Sequence, residues 1–364
     1  MPTKVRSQVD NNGAERARVN QFGRLDLGLR QASDWYLWGP YVSERQWGTV
    51  REDYSEGGDA WSYLPHDHAR SRAYRWGEDG LAGFSDVEQR LCTAVALWNG
   101  RDPILKERIF GLTGPQGNHG EDAKEYWWHV DSVPSHAWNV WRYHYPQGAF
   151  PYDDLVTENA RRGKHDFEYE LLDTGIFDDD RYWVVDVRYA KADTTDVLMS
   201  VTVTNAGPET DTLHVLPTLW YRNTWSWDDD APRPELVGGP DGVRTTHPFL
   251  GELEWVAEPG PDGHAPTMLF CDNDTNLARL YGAQGGPAWP KDGINGHVVS
   301  GADTVNPAMT GTKCAAWYQV SVQPGQTVEL QLRLRPHRGS VGVGADFAGV
   351  LEQRRPRPTS FMPT

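Results

Sequence analysis

From about Asp196 onward, apolar and polar positions alternate in short runs broken by Gly, Pro and Asp. That period of two puts one side of a strand on a core and the other in water. The stretch DVLMSVTVTNAGPETDTLHVLPTLWYRN predicts two strands joined by the turn NAGPE, with Val201 and Val203 on one face and Thr202 and Thr204 on the other. EWVAE, TMLFCD and LARLYG predict further short strands. AWYQVSVQPGQTVELQLRLRP predicts a hairpin with Pro324 and Gly325 at its tip and Val328, Leu330, Leu332 and Leu334 alternating behind it. Earlier, QRLCTAVALWNG and RYWVVDVRYAKA read as strands too. Many short strands with regular turn signals predict a mainly β fold, a β-sandwich with long loops and a few short helices.

Helical signals are few. DPILKERIFGL predicts a short helix capped by Asp102 with Pro103 in its first position. YDDLVTENARRG predicts another, closed by Gly163. A third starts at Asp346, and Pro356 and Pro358 interrupt it, since proline removes a donor and clashes with the preceding turn. Residues 31–90 are polar and loop-rich.

Composition narrows the partners. With 35 basic and 51 acidic residues the net charge is −16, which argues against nucleic acid or an anionic membrane, both of which need a positive footprint. Cys92, Cys271 and Cys314 are an odd, scattered set. They suit reduced thiols packed as small hydrophobes rather than a disulfide framework or a zinc site. No apolar stretch suits a signal or a membrane helix, so a cytoplasmic protein without cofactor or metal is expected. The outlying number is tryptophan: 17, more than the tyrosines or the phenylalanines. Indoles fill cores, and their flat faces also take the apolar faces of sugar rings, so packing and saccharide binding both stand at this point.

The densest chemistry lies between Trp35 and Asp86. There Trp38, Glu44, Arg45, Trp47, Arg51, Glu52, His66, Asp67, Arg72, Arg75, Trp76, Glu78 and Asp79 mix rings with carboxylates and guanidinium groups. Such mixtures recognise sugar hydroxyls through charge-assisted hydrogen bonds, or hold a solvated loop in shape. A second cluster holds His119, Glu121, Asp122, His129 and His136. It lacks the i, i+4 histidine pair of a zinc helix and reads as hydrogen-bonded loop residues. The consecutive triplets Asp178–Asp180 and Asp228–Asp230 lack the alternation and central glycine of a calcium loop and predict exposed turns. No nucleophile elbow, phosphate loop or dinucleotide fingerprint is present. Glycoside hydrolysis needs two carboxylates across a glycosidic bond, and spacing alone does not pick the pair.

QWGTVREDY followed by YRWGEDGLAGFSD resembles the N-terminal domain of glycoside hydrolase family 63, the family of mannosyl-oligosaccharide glucosidase. The matching positions are Trp47 to Arg51 and Asp79 to Leu81. Large bacterial glucosidase-like members are similar also in WNGRDPILKERIFGLTGPQGNHGEDAKEYWW, YPQGAFPYDDLV, YELLDTGIFDDDRYW and VLPTLWYRNTWSW. The resemblance implies an N-terminal super-β-sandwich packed on a C-terminal (α/α) barrel of six helical hairpins. That barrel carries the general acid and base and hydrolyses α-glycosidic, usually glucosyl, bonds with inversion. The barrel is absent here, so no residue inherits a catalytic role. Residues 35–86 and 119–136 are implied to reach the active-site rim.

The expected organisation is a flexible arm (1–25), the sandwich (26–340) and the start of a linker helix (341–355), whose DFAGVLEQRR resembles the beginning of the family's linker helix. Residues 356–364 are expected to be an out-of-frame tail. Back-translated from Arg355 and read from the last base of its codon, they give AEADEFYAD, similar to the acidic continuation of that helix. The reading that follows is a truncated glycosidase domain, inactive alone, whose partners are an oligosaccharide and the missing barrel. The alternatives are a stand-alone carbohydrate-binding protein using Trp38, Trp47 and Trp76, and one half of a split enzyme.

Overall fold

The computed structural model describes residues 33–42, 66–73, 80–112, 114, 116–118, 123–227, 230–337 and 342–356. In chain order its strands are β1 (Trp38–Gly39), β2 (Leu81–Asp86), β3 (Leu91–Trp98), β4 (Tyr126–Ser132), β5 (Trp138–Pro146), β6 (Tyr182–Asp193), β7 (Asp196–Asn205) and β8 (Asp211–Tyr221). They continue with β9 (Leu236–Gly239), β10 (Gly242–His247), β11 (Gly251–Ala257), β12 (Thr267–Cys271), β13 (Thr310–Gly311), β14 (Lys313–Val322) and β15 (Thr327–Pro336). The helices are α1 (His66–Ala69), α2 (Tyr152–Arg161), α3 (Leu277–Tyr281), α4 (Gly293–Ser300) and α5 (Phe347–Arg354).

Two antiparallel sheets result. One has six strands in the order β1-β2-β3-β8-β14-β12, the other nine in the order β13-β9-β10-β11-β15-β7-β6-β5-β4. The period of two fixes their inner faces. On β6, Trp183, Val185, Val187 and Tyr189 are buried, while Tyr182 and Arg188 stay partly exposed. Residues of both sheets share one core, in which Phe84 of the smaller sheet stacks on Tyr189 of the larger at 4.7 Å. The mainly β sandwich expected from the pattern is therefore the fold. Cys92, Cys271 and Cys314 are all buried free thiols. No described helix is long and apolar enough to cross a membrane.

Three local expectations need correction. The Pro324–Gly325 turn does not close a hairpin: β14 belongs to the six-stranded sheet and β15 to the nine-stranded one, so the turn carries the chain across the core. The turn at 206–210 does the same between β7 and β8. Alternation reports which face is buried, and both arrangements bury the same residues. LARLYG forms α3, closed by Gly282 in the left-handed region, rather than a strand. DPILKERIFGL forms no helix: Lys106 makes an isolated bridge with Leu97, and Asp102 uses its carboxylate on two tyrosines. Tertiary hydrogen bonds outweigh a few tenths of a kcal/mol of helix propensity per residue there.

The helix expected from Asp346 is α5, with Asp346 at its N-cap. It lies on the outer face of the nine-stranded sheet, where Phe347 and Val350 pack on Val140, Ala190 and Leu198. Residues 1–32 and 357–364, which include most of the expected arm and tail, lie outside the described residues.

Candidate functional site

Six of the site residues singled out in the sequence lie among those described: Trp38, His66, Asp67, Arg72, His129 and His136. His129 is in β4, with its ring 5.2 Å from that of Trp141, and the ring of His136 is 5.6 Å from those of Tyr36 and Tyr41. Trp38 is in β1, 2% exposed, and its carbonyl accepts from Lys191 Nζ at 2.9 Å. Its indole is core and offers no face to a sugar. His66 opens α1, with its ring 5.0 Å from that of Phe110 and 5.4 Å from that of Tyr152. Asp67 pairs with Arg70 and Arg279, each at 2.8 Å. Burial alone would raise its carboxyl, but the Arg279 hydrogen bond and the two guanidinium charges outweigh it and hold the group below the usual value. Arg72 donates to Tyr281 Oη at 2.6 Å. Asp67 and Arg72 are joints: with Ser71 Oγ donating to Asp292 Oδ2 at 2.5 Å and Lys291 Nζ to Arg72 O at 2.5 Å, they bolt segment 66–73 to 272–292. Glu44, Arg45, Trp47, Arg51, Glu52, Arg75, Trp76, Glu78, Asp79, His119, Glu121 and Asp122 lie outside the described residues.

The described flanks of those stretches meet along residues 104–112. Gly80 N–H donates to Glu107 O at 2.7 Å, and Lys124 N–H to Phe110 O at 2.8 Å. Gly80 sits at φ +82, and a Cβ there would stand 2.1 Å from Ala94 Cβ, so only glycine permits this close approach. Beneath the junction runs a line of buried charges. Lys106 Nζ is 2.7 Å from Glu125 Oε1, and Lys313 Nζ is 2.9 Å from Glu107 Oε2. Lys124 pairs with Glu168. Asp102 accepts from Tyr145 and Tyr152 at 3.0 and 3.2 Å. Burial pushes the carboxyls of Asp102 and Glu125 up, against the pull of Lys106. Among the described residues no group of three or more His, Cys, Asp or Glu side chains is placed to hold a metal.

Sequence reasoning missed the surface that begins one residue beyond Glu125. β4 is the edge strand of the nine-stranded sheet, and Tyr126 and Trp128 point outward from it. With His144 of β5, Tyr182 of β6 and Phe177 of the preceding turn they form a closed circuit of rings. Centroid distances are 5.9 Å for Tyr126–Trp128, 4.8 Å for Trp128–His144 and 5.0 Å for His144–Tyr182, then 5.6 Å for both Tyr182–Phe177 and Phe177–Tyr126. Trp128 remains 42% exposed. Burial and the neighbouring Arg142 lower the His144 pKa, so the ring is neutral near pH 7.

Polar groups adjoin the rings on the same face. Arg142, cross-strand from Trp128, makes a two-pronged contact with Asp186 at 2.7 and 2.8 Å, and Arg188 reaches the same carboxylate at 3.1 Å. Beyond them Ser200 bonds Glu329, and Thr204 and Thr327 share a 2.7 Å hydroxyl contact. The outer face thus runs from a neutral ring platform to a strip of donors and acceptors, with α5 covering its far end. That combination stacks on apolar ring faces and hydrogen-bonds hydroxyls. The signal was legible only as YWWHV beside RYHYP, and it needed the β4–β5 register to bring Tyr126 opposite His144.

The chain is 40% identical over 344 residues, 85% of its length, to the uncharacterized protein YMR196W of Saccharomyces cerevisiae, and it spans 32% of that protein. No protein-family model matches. Among solved structures, a polysaccharide lyase aligns with 73% of this chain and 28% of its own at 12% identity and a TM-score of 0.30. A galactose mutarotase related enzyme from Lactobacillus acidophilus aligns with 70% of this chain and 85% of its own at 7% identity and a TM-score of 0.25.

Proposed function

We propose that this chain is a carbohydrate-binding β-sandwich domain of a larger, family-63-like glycoside hydrolase, and that the outer face of its nine-stranded sheet holds an oligosaccharide. The observation that carries the reading is the closed circuit of five rings beside the Arg142–Asp186–Arg188 cluster. Flat apolar faces next to groups already fixed in orientation meet both halves of a sugar's chemistry, at little ordering cost. The sequence resemblance supports α-glucosyl oligosaccharides as the substrate of the whole protein. The length of the yeast relative, of which this chain spans 32%, supports a protein larger than the sandwich. Hydrolysis in this reading belongs to carboxylates on a barrel outside these residues.

Titrating the purified chain with maltohexaose while following tryptophan emission tests the reading. Saturable quenching in the wild type that Trp128→Ala and Tyr182→Ala each weaken about tenfold is expected, as stacking on one ring is worth on the order of 1 kcal/mol or more. Absence of saturable change, or binding unaltered by both substitutions, refutes it. The chain alone is expected to leave maltose and aryl α-glucosides uncleaved.

A further inference from the structure

The six-stranded sheet carries a second feature on its own outer face, which the reading above does not use. A cavity of about 170 Å³ lies between strands β12 and β14 and the loop that precedes β12. The half-buried Trp317 lines it. That ring is held in place: Trp317 Nε1 donates to His214 Nδ1 at 2.9 Å, and the two rings stack at 5.6 Å. His214 is backed by Trp98 at 4.7 Å, and the rings of His297 and Trp317 stand nearly perpendicular at 5.9 Å.

The wall is equally fixed. Gly260 N–H donates to His264 O at 2.8 Å, Gly263 N–H to Gly260 O at 2.9 Å, and His264 N–H to Asp262 Oδ1 at 3.0 Å. Tyr318 Oη donates to Glu258 O at 2.6 Å and ties the loop to β14. Two further lining side chains, Thr267 and Gln319, are exposed, and neither hydrogen-bonds another described residue. Both can donate and accept.

We propose that the cavity over Trp317 is a binding site for a single neutral sugar residue. Size sets the number: 170 Å³ is room for about six waters and falls below the roughly 300 Å³ at which drug-sized pockets begin, so one ring fits and a chain does not. Chemistry sets the class. Asp262 in the wall repels anions. A cation would want an unpaired carboxylate, whereas Asp262 is already engaged by His264 at 3.2 Å. Trp317 then takes the C–H face of the sugar, while Gln319 and Thr267 exchange hydrogen bonds with its hydroxyls. This site is independent of the oligosaccharide face on the other sheet, and either can fail without the other.

The test is ¹⁵N-labelled full chain titrated with methyl α-D-glucopyranoside, reading the indole N–H resonances of Trp317 and Trp128 separately. The Trp317 signal is expected to shift saturably and Gln319→Ala to weaken that binding about fivefold to tenfold, the loss of one hydrogen bond to a neutral partner. Gln319 is exposed, so its removal leaves folding intact. Trp317→Ala, checked by its unfolding midpoint and read by the backbone amides of Thr267 and Gln319, is expected to abolish binding. A static Trp317 resonance overturns the proposal, as does a shift that Gln319→Ala leaves unchanged. Tighter binding of tetramethylammonium than of the glucoside at the same resonance overturns it in favour of a cation site. Movement of the Trp128 signal alone assigns the glucoside to the other sheet.

Discussion

Lys106 Nζ lies 2.7 Å from Glu125 Oε1 with both side chains sealed from water, and the ring of Phe150 caps the ammonium at 3.8 Å. The carboxylate is completed by the Phe110 N–H at 3.0 Å and the Tyr143 hydroxyl at 2.5 Å. This pair joins the 104–112 junction to the residue just before β4, and so fixes where the ring platform starts. A buried pair adds little over an apolar substitute, but half of one is costly.

Lys106→Met is therefore expected to lower stability by about 3–5 kcal/mol, because it strands the Glu125 charge beside two hydrogen-bond donors. Lys106→Met with Glu125→Gln should recover much of the loss, since the amide oxygen still accepts from the Phe110 N–H and its NH2 can donate to the Tyr143 hydroxyl oxygen. Urea denaturation with an unchanged slope measures both. Equal losses in the single and double variants would show that the charge itself is not the problem.

The β-sandwich could be read from alternation alone, because inner positions such as Val201, Val203, Leu330 and Leu332 must be apolar whichever strands they pair with. Pairing could not. Pro324–Gly325 supports a tight hairpin equally well as a crossover between sheets, and the choice is made by contacts across the core. The candidate site was legible in part. Asp67 and Arg72 drew attention by their charge, and their partners Arg279 and Tyr281, about 200 residues away, spend that charge on structure, while His66 packs its ring against Phe110 and Tyr152. The ring platform and the Trp317 cavity draw on strands far apart in sequence, and single-residue patterns carry no such information.

His214 gives a pH dependence with a definite sign. Burial lowers its pKa below the ordinary value of 6.5, and Trp317 Nε1 donates to its Nδ1, which favours the neutral ring. The folded state thus binds fewer protons than the unfolded one across that window. The stability contributed by this histidine is full above about pH 6.5 and is lost as pH falls through the depressed folded value. His214→Gln, whose amide oxygen can accept the same indole proton, should flatten the decline in unfolding free energy between pH 7 and 5, read by urea titration at each pH. A slope unchanged by the substitution would remove His214 from the account.

Thiol chemistry gives a third expectation. Burial pushes Cys271 up to about 12 and Cys314 well above the ordinary thiol range, and Cys92 is equally enclosed. Thiolate is the reactive form, so none of the three should react with Ellman's reagent at pH 8 in the native chain, and all should react at once in urea. A fast native stoichiometry of one or more would mean that the sandwich opens locally around that cysteine.

Attachment of α5 to the outer face supplies the last prediction. Arg333, buried on β15, forks onto Asp196 at 2.7 and 2.9 Å and reaches Asp346, the N-cap of α5, at 2.7 Å. The Arg333 hydrogen bond, with the charge behind it, holds the Asp346 carboxyl below the usual range against the opposing effect of burial. Because the folded pKa is depressed, this contribution is present above the ordinary carboxylate pKa of about 3.9 and is lost as pH falls through the folded value. Amides of residues 350–354 should keep their protection against hydrogen exchange at pH 6 and lose it, after correction for intrinsic rates, near pH 3. In Asp346→Asn they should be less protected at pH 6, with a smaller pH effect. Arg333→Met should go further, since it leaves Asp196 buried without its guanidinium and costs the chain about 3–5 kcal/mol overall. If exchange in α5 follows the rest of the sheet at every pH in all three chains, the helix has no separate attachment energy and the arginine clamp is not what holds it.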